Sequence, residues 1–398
     1  MDRPFAGRHV LAELVGVEPV FLDDETAVCA ALRASLTEAG ASVLSVHAER
    51  FQPHGVTVVA VLAESHASVH TWPEHRSAFV DVFTCGDSAD PVRAARLLAD
   101  RLGAERVHLR TVDRGAGSVH RVDEPMGPGL RRLWDVEEVL WSGRTAFQEV
   151  LIGRTAHGVT LFCDDERQSS EAGQLVYHEA LLVPALLLAA RPEHVLVIGS
   201  SEGVVSELAV AAGATLVDHV DIDTECVRLC ARLLPYGYTS EELDAAERHD
   251  GPVRVHYADG WEYLRTTEQR YDVVVIDLPD ERPDDPDAQH NRLYGTEFLR
   301  LASSVLAPGG VLAGQVGCPT LWRNDTLRTA LGRWREVFPT VVHYGSDEHE
   351  WSFLTGSPTP IDDPLRRMTD RLGALPRHPE TIDADALCRG VVLPRSLR

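Results

Sequence analysis

The chain has 398 residues, enough for two or three domains, and its 44% hydrophobic content supports real cores. Against 61 acidic residues stand 38 basic ones, a net charge of −23. That balance argues against nucleic acid and anionic membrane surfaces as partners, and suits cationic small molecules or solubility alone. Every basic residue is an arginine, and without lysine a pyridoxal phosphate Schiff base is excluded.

In chain order, His9–Val17 reads as an apolar strand. Asp24–Gly40 reads as a helix: acids open it, Val28, Leu32 and Leu36 repeat at helical spacing, and Gly40 closes it. Val56–Ala63 is a β-branched strand running into Glu64-Ser65; Ser77–Thr84 is another strand, Pro91–Leu102 a second amphipathic helix, and Arg106–Val112 a last strand. The layer plan is a two-layer α+β sandwich, an antiparallel sheet with helices on one face.

From Asp113 the pattern dissolves into Gly, Pro and charge, so we place a linker at 116–136 between units spanning 1–115 and 137–356. Phe147–Phe162 reads as a β-hairpin. Strands at 195–198, 217–222, 253–257 and 271–277 then alternate with helices starting near Gly203 and Thr224, the rhythm of a parallel, doubly wound sheet. Residues 357–398 are proline-rich and weakly patterned, which predicts a loosely packed extension. The longest apolar run, Ala180–Ala190, is interrupted by Pro184 and too short for a bilayer, and the N-terminus shows no signal-peptide core. An odd set of 7 cysteines without a CxxC pair predicts a reduced, cytoplasmic protein with no metal site. Cys226 and Cys230, at i,i+4, read as packing residues.

Two segments carry chemistry in the first unit. Glu64-Ser65-His66-Ala67-Ser68-Val69-His70-Thr71-Trp72-Pro73-Glu74 is followed by Asp81-Val82-Phe83-Thr84-Cys85-Gly86, with Gly7-Arg8-His9 upstream. Together they resemble the bacterial and archaeal S-adenosylmethionine (AdoMet) decarboxylase proenzyme family over about residues 5–115. The resemblance implies self-cleavage at Glu64-Ser65. The Ser65 hydroxyl attacks the Glu64 carbonyl to give an ester, elimination leaves dehydroalanine, and its hydrolysis, with loss of ammonia, leaves a covalent pyruvoyl group in place of Ser65. It also implies His70 as the processing base, Thr57 as a hydroxyl assisting the acyl shift, Cys85 as the proton donor in decarboxylation, and Phe51 as the ring stacking on adenine. One segment departs from the family: His75-Arg76-Ser77-Ala78-Phe79 stands where a Gly-Tyr-Ala type sequence is common. AdoMet is therefore the favoured substrate, with ornithine or arginine as alternatives.

From about 137 to 356 the chain resembles the polyamine aminopropyltransferase (spermidine synthase) family. The resemblance rests on Gln148, Gln168-Ser169-Ser170-Glu171, Tyr177-His178-Glu179, Val195–Gly203, Val220-Asp221-Ile222-Asp223, Ala258-Asp259-Gly260, Asp277-Leu278-Pro279-Asp280, Leu293-Tyr294 and Trp351-Ser352-Phe353. It implies a small β-hairpin subdomain followed by a Rossmann-like, methyltransferase-type sheet. Asp221 would bind the ribose hydroxyls, Asp259 with Gly260 the adenine, and Glu202 the aminopropyl ammonium. Asp277 would be the base toward the acceptor amine, oriented by Tyr177, with Gln148, Gln168, His178 and Asp280 completing the substrate site. The family's GGGDGG turn is here Gly199-Ser200-Ser201-Glu202-Gly203-Val204, and an expected acidic pair is Gly173-Gln174.

The two resemblances imply a bifunctional enzyme that decarboxylates AdoMet and transfers the aminopropyl group to putrescine or a related diamine. Its partners would be these small molecules and further copies of itself, as a homo-oligomer. Alternatively, the first unit makes the acceptor amine from ornithine or arginine, or one half is a regulatory module without activity.

Overall fold

The computed structural model describes residues 6–86, 88–115, 120–127, 129–279, 281, 289–318 and 324–398. It divides into two compact units, Met1–Val119 and His120–Arg398.

The first unit runs β1 (Ala6–Val15), α1 (Pro19–Leu22), α2 (Glu25–Glu38), β2 (Val43–Arg50), β3 (Val56–Leu62), β4 (Ser65–Trp72), β5 (Ser77–Cys85), α3 (Pro91–Leu102) and β6 (Arg106–Gly115). Its described strands form one antiparallel sheet in the order β2-β3-β4-β5-β1-β6. Side chains alternate across the pleat. Val10, Ala12, Leu14, Val56, Val58, Ala60, Ala67, Val69, Val80 and Val82 face a core shared with Val28, Leu32 and Leu36 of α2 and Ala95 and Leu98 of α3. Asp24 caps α2 by accepting from the Ala27 N–H, and Asp90 caps α3 by accepting from Val92 and Arg93. The opposite face of the sheet carries Thr57, His66, His70, Trp72 and Cys85, all at least partly exposed. Two strands escape the sequence reading, β2 and β4. Each mixes polar and apolar residues, and β4 is the Ser65–Trp72 motif itself.

The second unit opens with strands β7 (His120–Gly127), β8 (Leu130–Val136), β9 (Glu138–Arg144), β10 (Glu149–Thr155), β11 (Gly158–Cys163) and β12 (Glu166–Ser170). The expected linker is here corrected: its described residues from 120 onward are the β7–β8 hairpin. Glycines read as linker make the turn, with φ of 143° at Gly127 and 76° at Gly129. Val122, Trp134 and Val136 pack on Phe162, and the Trp134 indole donates to the buried Glu124 at 2.6 Å.

There follow α4 (Gln174–Leu188), β13 (His194–Gly199), α5 (Val204–Ala211), β14 (Leu216–Asp221), α6 (Thr224–Leu233), α7 (Ser240–Glu247), β15 (Val253–Tyr257), α8 (Gly260–Thr266), β16 (Tyr271–Asp277), α9 (Thr296–Ser304), β17 (Leu306–Gln315), α10 (Asp325–Val337), β18 (Thr340–Gly345), β19 (Ser352–Ser357), α11 (Pro364–Leu372) and α12 (Ala384–Gly390). The sheet order is β15-β14-β13-β16-β17-β19-β18, with β19 antiparallel to both its neighbours. Strand order reverses at β13/β16, where the carboxyl ends open a crevice. The apolar run predicted from sequence is the buried helix α4. Among the described residues no helix is long and apolar enough to cross a membrane.

The extension after 356 is not loosely packed. Met368, Ile382 and Leu387 enter the core on α4. The buried Glu179 carboxylate accepts from the backbone of Glu380 and Thr381 at 2.9 and 2.7 Å, and from the Thr381 hydroxyl at 2.6 Å. Arg371 donates to the Leu187 and Ala189 carbonyls at the end of α4. The single apolar residues responsible are too sparse to show a period.

Candidate active sites

In the first unit, Ser65 opens β4 opposite Thr84, which brings Cys85 beside Glu64 although 20 residues separate Ser65 from Cys85. The Cys85 backbone N–H donates to the Glu64 carbonyl at 3.2 Å, the carbonyl that the Ser65 hydroxyl must attack. A fixed donor on that oxygen favours the charge that develops there. The Glu64 carboxylate accepts from the Ser42 N–H at 3.0 Å and anchors the junction. The donor set at Glu64-Ser65 thus fits a serine poised for an acyl shift.

Thr57 and His70 face each other across β3 and β4, hydroxyl to Nδ1. The His70 ring packs 4.1 Å from Trp72 and 5.7 Å from Phe51. These two residues are not brought to Ser65. Five residues of extended strand separate Ser65 from His70, roughly 16 Å at about 3.3 Å per residue. The family resemblance had implied that His70 and Thr57 act at Ser65; extended backbone keeps them apart from it within the chain. The imidazole near Ser65 within the chain is His66, whose Nδ1 lies 3.2 Å from the hydroxyl. The sequence reading assigned His66 no role, though its position next to the serine was a signal.

In the second unit the acids converge at the carboxyl ends of β13, β14 and β16. Tyr177 donates its hydroxyl to Asp277 at 2.6 Å. His178, one residue on, places Nε2 3.5 Å from Glu202 and 3.9 Å from Asp277, while its Nδ1 meets the Gln174 carbonyl at 2.7 Å. Burial pushes the Asp277 pKa up and the nearby Glu202 charge adds to this, outweighing His178 and Tyr177. Burial also opposes a charged His178, but Glu202 and Asp277 overcome it and its pKa is raised. Glu202 resists its own burial through His178 and stays below the ordinary carboxylate range.

Asp221 ends β14 and accepts from the Ser201 hydroxyl and the Asp223 N–H, both at 2.8 Å. Burial drives its pKa to about 7 in spite of these bonds. The turn after β13 needs its glycines at two points. A Cβ on Gly199 would fall 2.0 Å from the Asp277 carbonyl oxygen, and one on Gly203 2.3 Å from the Tyr238 ring.

Other expected residues are engaged elsewhere. Gln148 donates to Asp223 at 3.0 Å, and Gln168 to the Glu166 carbonyl at 3.3 Å. Asp259 caps α8, accepting from Trp261 and Glu262, and also pairs with Arg292. Gly260 starts that helix against Ile198, where a Cβ would approach to 2.7 Å. Asp280 lies outside the described residues. His349 and Phe353, each with ring centroids within about 5 Å of Tyr177, complete its aromatic wall. His349 carried no motif of its own. Among the described residues no group of His, Cys, Asp or Glu is arranged to hold a metal.

Residues 8–115 match the S-adenosylmethionine decarboxylase family model, and residues 174–346 match the spermine/spermidine synthase domain model. The S-adenosylmethionine decarboxylase proenzyme of Parasynechococcus marenigrum is 45% identical over 108 residues, covering 27% of this chain and 84% of the relative. The polyamine aminopropyltransferase 1 of Hyperthermus butylicus is 32% identical over 227 residues, covering 56% of this chain and 74% of the relative. In fold, the chain resembles a crystal structure of spermidine synthase in complex with the transition-state analogue AdoDATO, with a TM-score of 0.61 at 18% identity, covering 71% of this chain and 96% of that one.

Proposed function

The chain belongs to the S-adenosylmethionine decarboxylase family over its first unit and to the polyamine aminopropyltransferase family over its second, and from this double membership we propose a bifunctional enzyme of spermidine biosynthesis. It decarboxylates AdoMet and passes the aminopropyl group of the product to putrescine or a related diamine. The tandem carries the proposal, since the first unit makes the donor that the second consumes. Ornithine and arginine are not favoured as substrates, because the relatives matching the first unit are named as AdoMet decarboxylase proenzymes.

For maturation, the Ser65 hydroxyl attacks the Glu64 carbonyl while the Cys85 N–H holds that oxygen. The peptide bond becomes an ester, loss of the Ser65 α-proton eliminates it to cut the chain after Glu64 and leave dehydroalanine, and water hydrolyses that to the pyruvoyl group with release of ammonia. We assign the α-proton to His70, assisted by Thr57. Because His70 sits too far along β4 to serve its own Ser65, the pair serves the Ser65 of a second copy in a homo-oligomer. The pyruvoyl group left at position 65 supplies the electron sink for carboxylate loss. The Cys85 thiol delivers a proton to the substrate α-carbon, and Phe51 stacks on its adenine.

For transfer, Glu202 holds the aminopropyl ammonium, Asp221 the ribose hydroxyls and Asp259 the adenine amino group. Asp277, steadied by Tyr177, takes a proton from the acceptor nitrogen. That nitrogen bonds to the aminopropyl carbon, the carbon–sulfur bond breaks, and methylthioadenosine leaves with the electron pair. Intact mass spectrometry of the purified protein tests the first half. Two fragments, 1–64 and 65–398 with a pyruvoyl terminus, are expected; a single uncut chain contradicts a decarboxylase.

A further inference from the structure

We propose that His219 is a positioning residue of the transferase unit: with Tyr238 it braces the Gly199–Gly203 turn from beneath, in the shape that receives the donor nucleoside. This rests on the aminopropyl-transfer reading above. His219 lies in β14 and is fully buried. Its Nε2 is 2.8 Å from the Gly199 carbonyl oxygen, which can only accept, so Nε2 carries the proton. Nδ1 then accepts from the Tyr238 hydroxyl at 3.0 Å. Burial outweighs the Gly199 bond and holds the imidazole pKa down to about 4, which keeps this neutral tautomer at working pH.

Tyr238 reaches the far end of the same turn. Its backbone N–H donates to the Glu202 carbonyl at 3.0 Å, and its ring fills the space beside Gly203. The pair therefore ties the carbonyls of the first and fourth turn residues to one support.

The turn has a reason to need one. Its φ values are +83° at Gly199, +62° at Ser200 and +81° at Gly203. Ser200 thus carries a side chain in the left-handed region that favours glycine. On the transfer reading, the groups this turn presents to the donor are Glu202 and Ser201, the latter bonded to Asp221. Proton removal belongs to Asp277 and Tyr177 on β16 and α4. Loosening the brace should therefore weaken donor binding and spare the chemical step.

Steady-state transfer with supplied decarboxylated AdoMet and putrescine tests this. His219→Ala should raise the donor KM by about tenfold, the effect of a lost buried hydrogen bond, with kcat changed less than about threefold. His219→Gln, which can donate from Nε2 and accept at Oε1, should restore most of the affinity. Tyr238→Phe keeps the ring and fold and should raise KM by a smaller factor. An unchanged KM in His219→Ala and Tyr238→Phe, a loss of kcat alone, or no recovery with glutamine in a protein of normal melting temperature would each overturn the brace. A wild-type protein that neither binds nor uses the donor would instead overturn the transferase reading on which it rests.

Discussion

Asp277 owes its raised pKa first to burial and then to the neighbouring Glu202 charge. A carboxylate held above the ordinary range is a better proton acceptor toward an amine. Asp277→Asn should lower transfer kcat by about a hundredfold or more while leaving CO2 release from AdoMet intact; normal spermidine formation in that variant would refute its role as base. Asp221 presents the opposite trade. Its folded pKa of about 7 lies above the usual value of 3.8. Such a group costs stability once pH rises past the unfolded value, and the full cost is present above about 7. Asp221→Asn should raise Tm by a few degrees at pH 8, a gain that disappears near pH 4, and should raise the donor KM. Thermal melts at both pH values check the sign, and a lower Tm at pH 8 would refute it. The acids themselves were legible in the sequence because each ends a strand. The partners were not: His178 between Glu202 and Asp277, or Gln148 turned toward Asp223, follow from packing between distant elements.

Strand β4 decides how the first unit works. Its motif was readable as chemistry but not as a strand, because Ser65, His66, Ser68 and His70 mask the alternation of Ala67, Val69 and Thr71. Once extended, it carries His70 away from Ser65 and leaves His66 beside it. Co-expressing Ser65→Ala and His70→Ala chains should yield cleaved His70→Ala chains, since the intact His70 of one copy reaches the intact Ser65 of the other. Cleavage of His70→Ala alone would point to His66 as the base, and no cleavage in the mixture would place His70 in its own chain's site. The β7–β8 hairpin and the C-terminal extension were misread for a related reason. Both are built from isolated anchors, Trp134 on Phe162 and Glu179 on residues 380–381, whose effect depends on a partner outside the segment. The doubly wound sheet, with its regular apolar strands, needed no such information.

At the scale of the whole molecule, the two units share a chemistry. One removes a carboxylate and the other spends the resulting aminopropyl group. Both act on cationic substrates, which the net charge of −23 favours. The central claim is tested by incubating purified protein with putrescine and AdoMet labelled separately in the carboxyl carbon and in the aminopropyl chain, with no decarboxylated AdoMet added. Labelled CO2 and labelled spermidine are expected in equal amounts, both lost in Ser65→Ala, with spermidine alone restored when decarboxylated AdoMet is supplied. Release of CO2 from ornithine or arginine but not from AdoMet, or CO2 from AdoMet with no labelled spermidine, would contradict that claim.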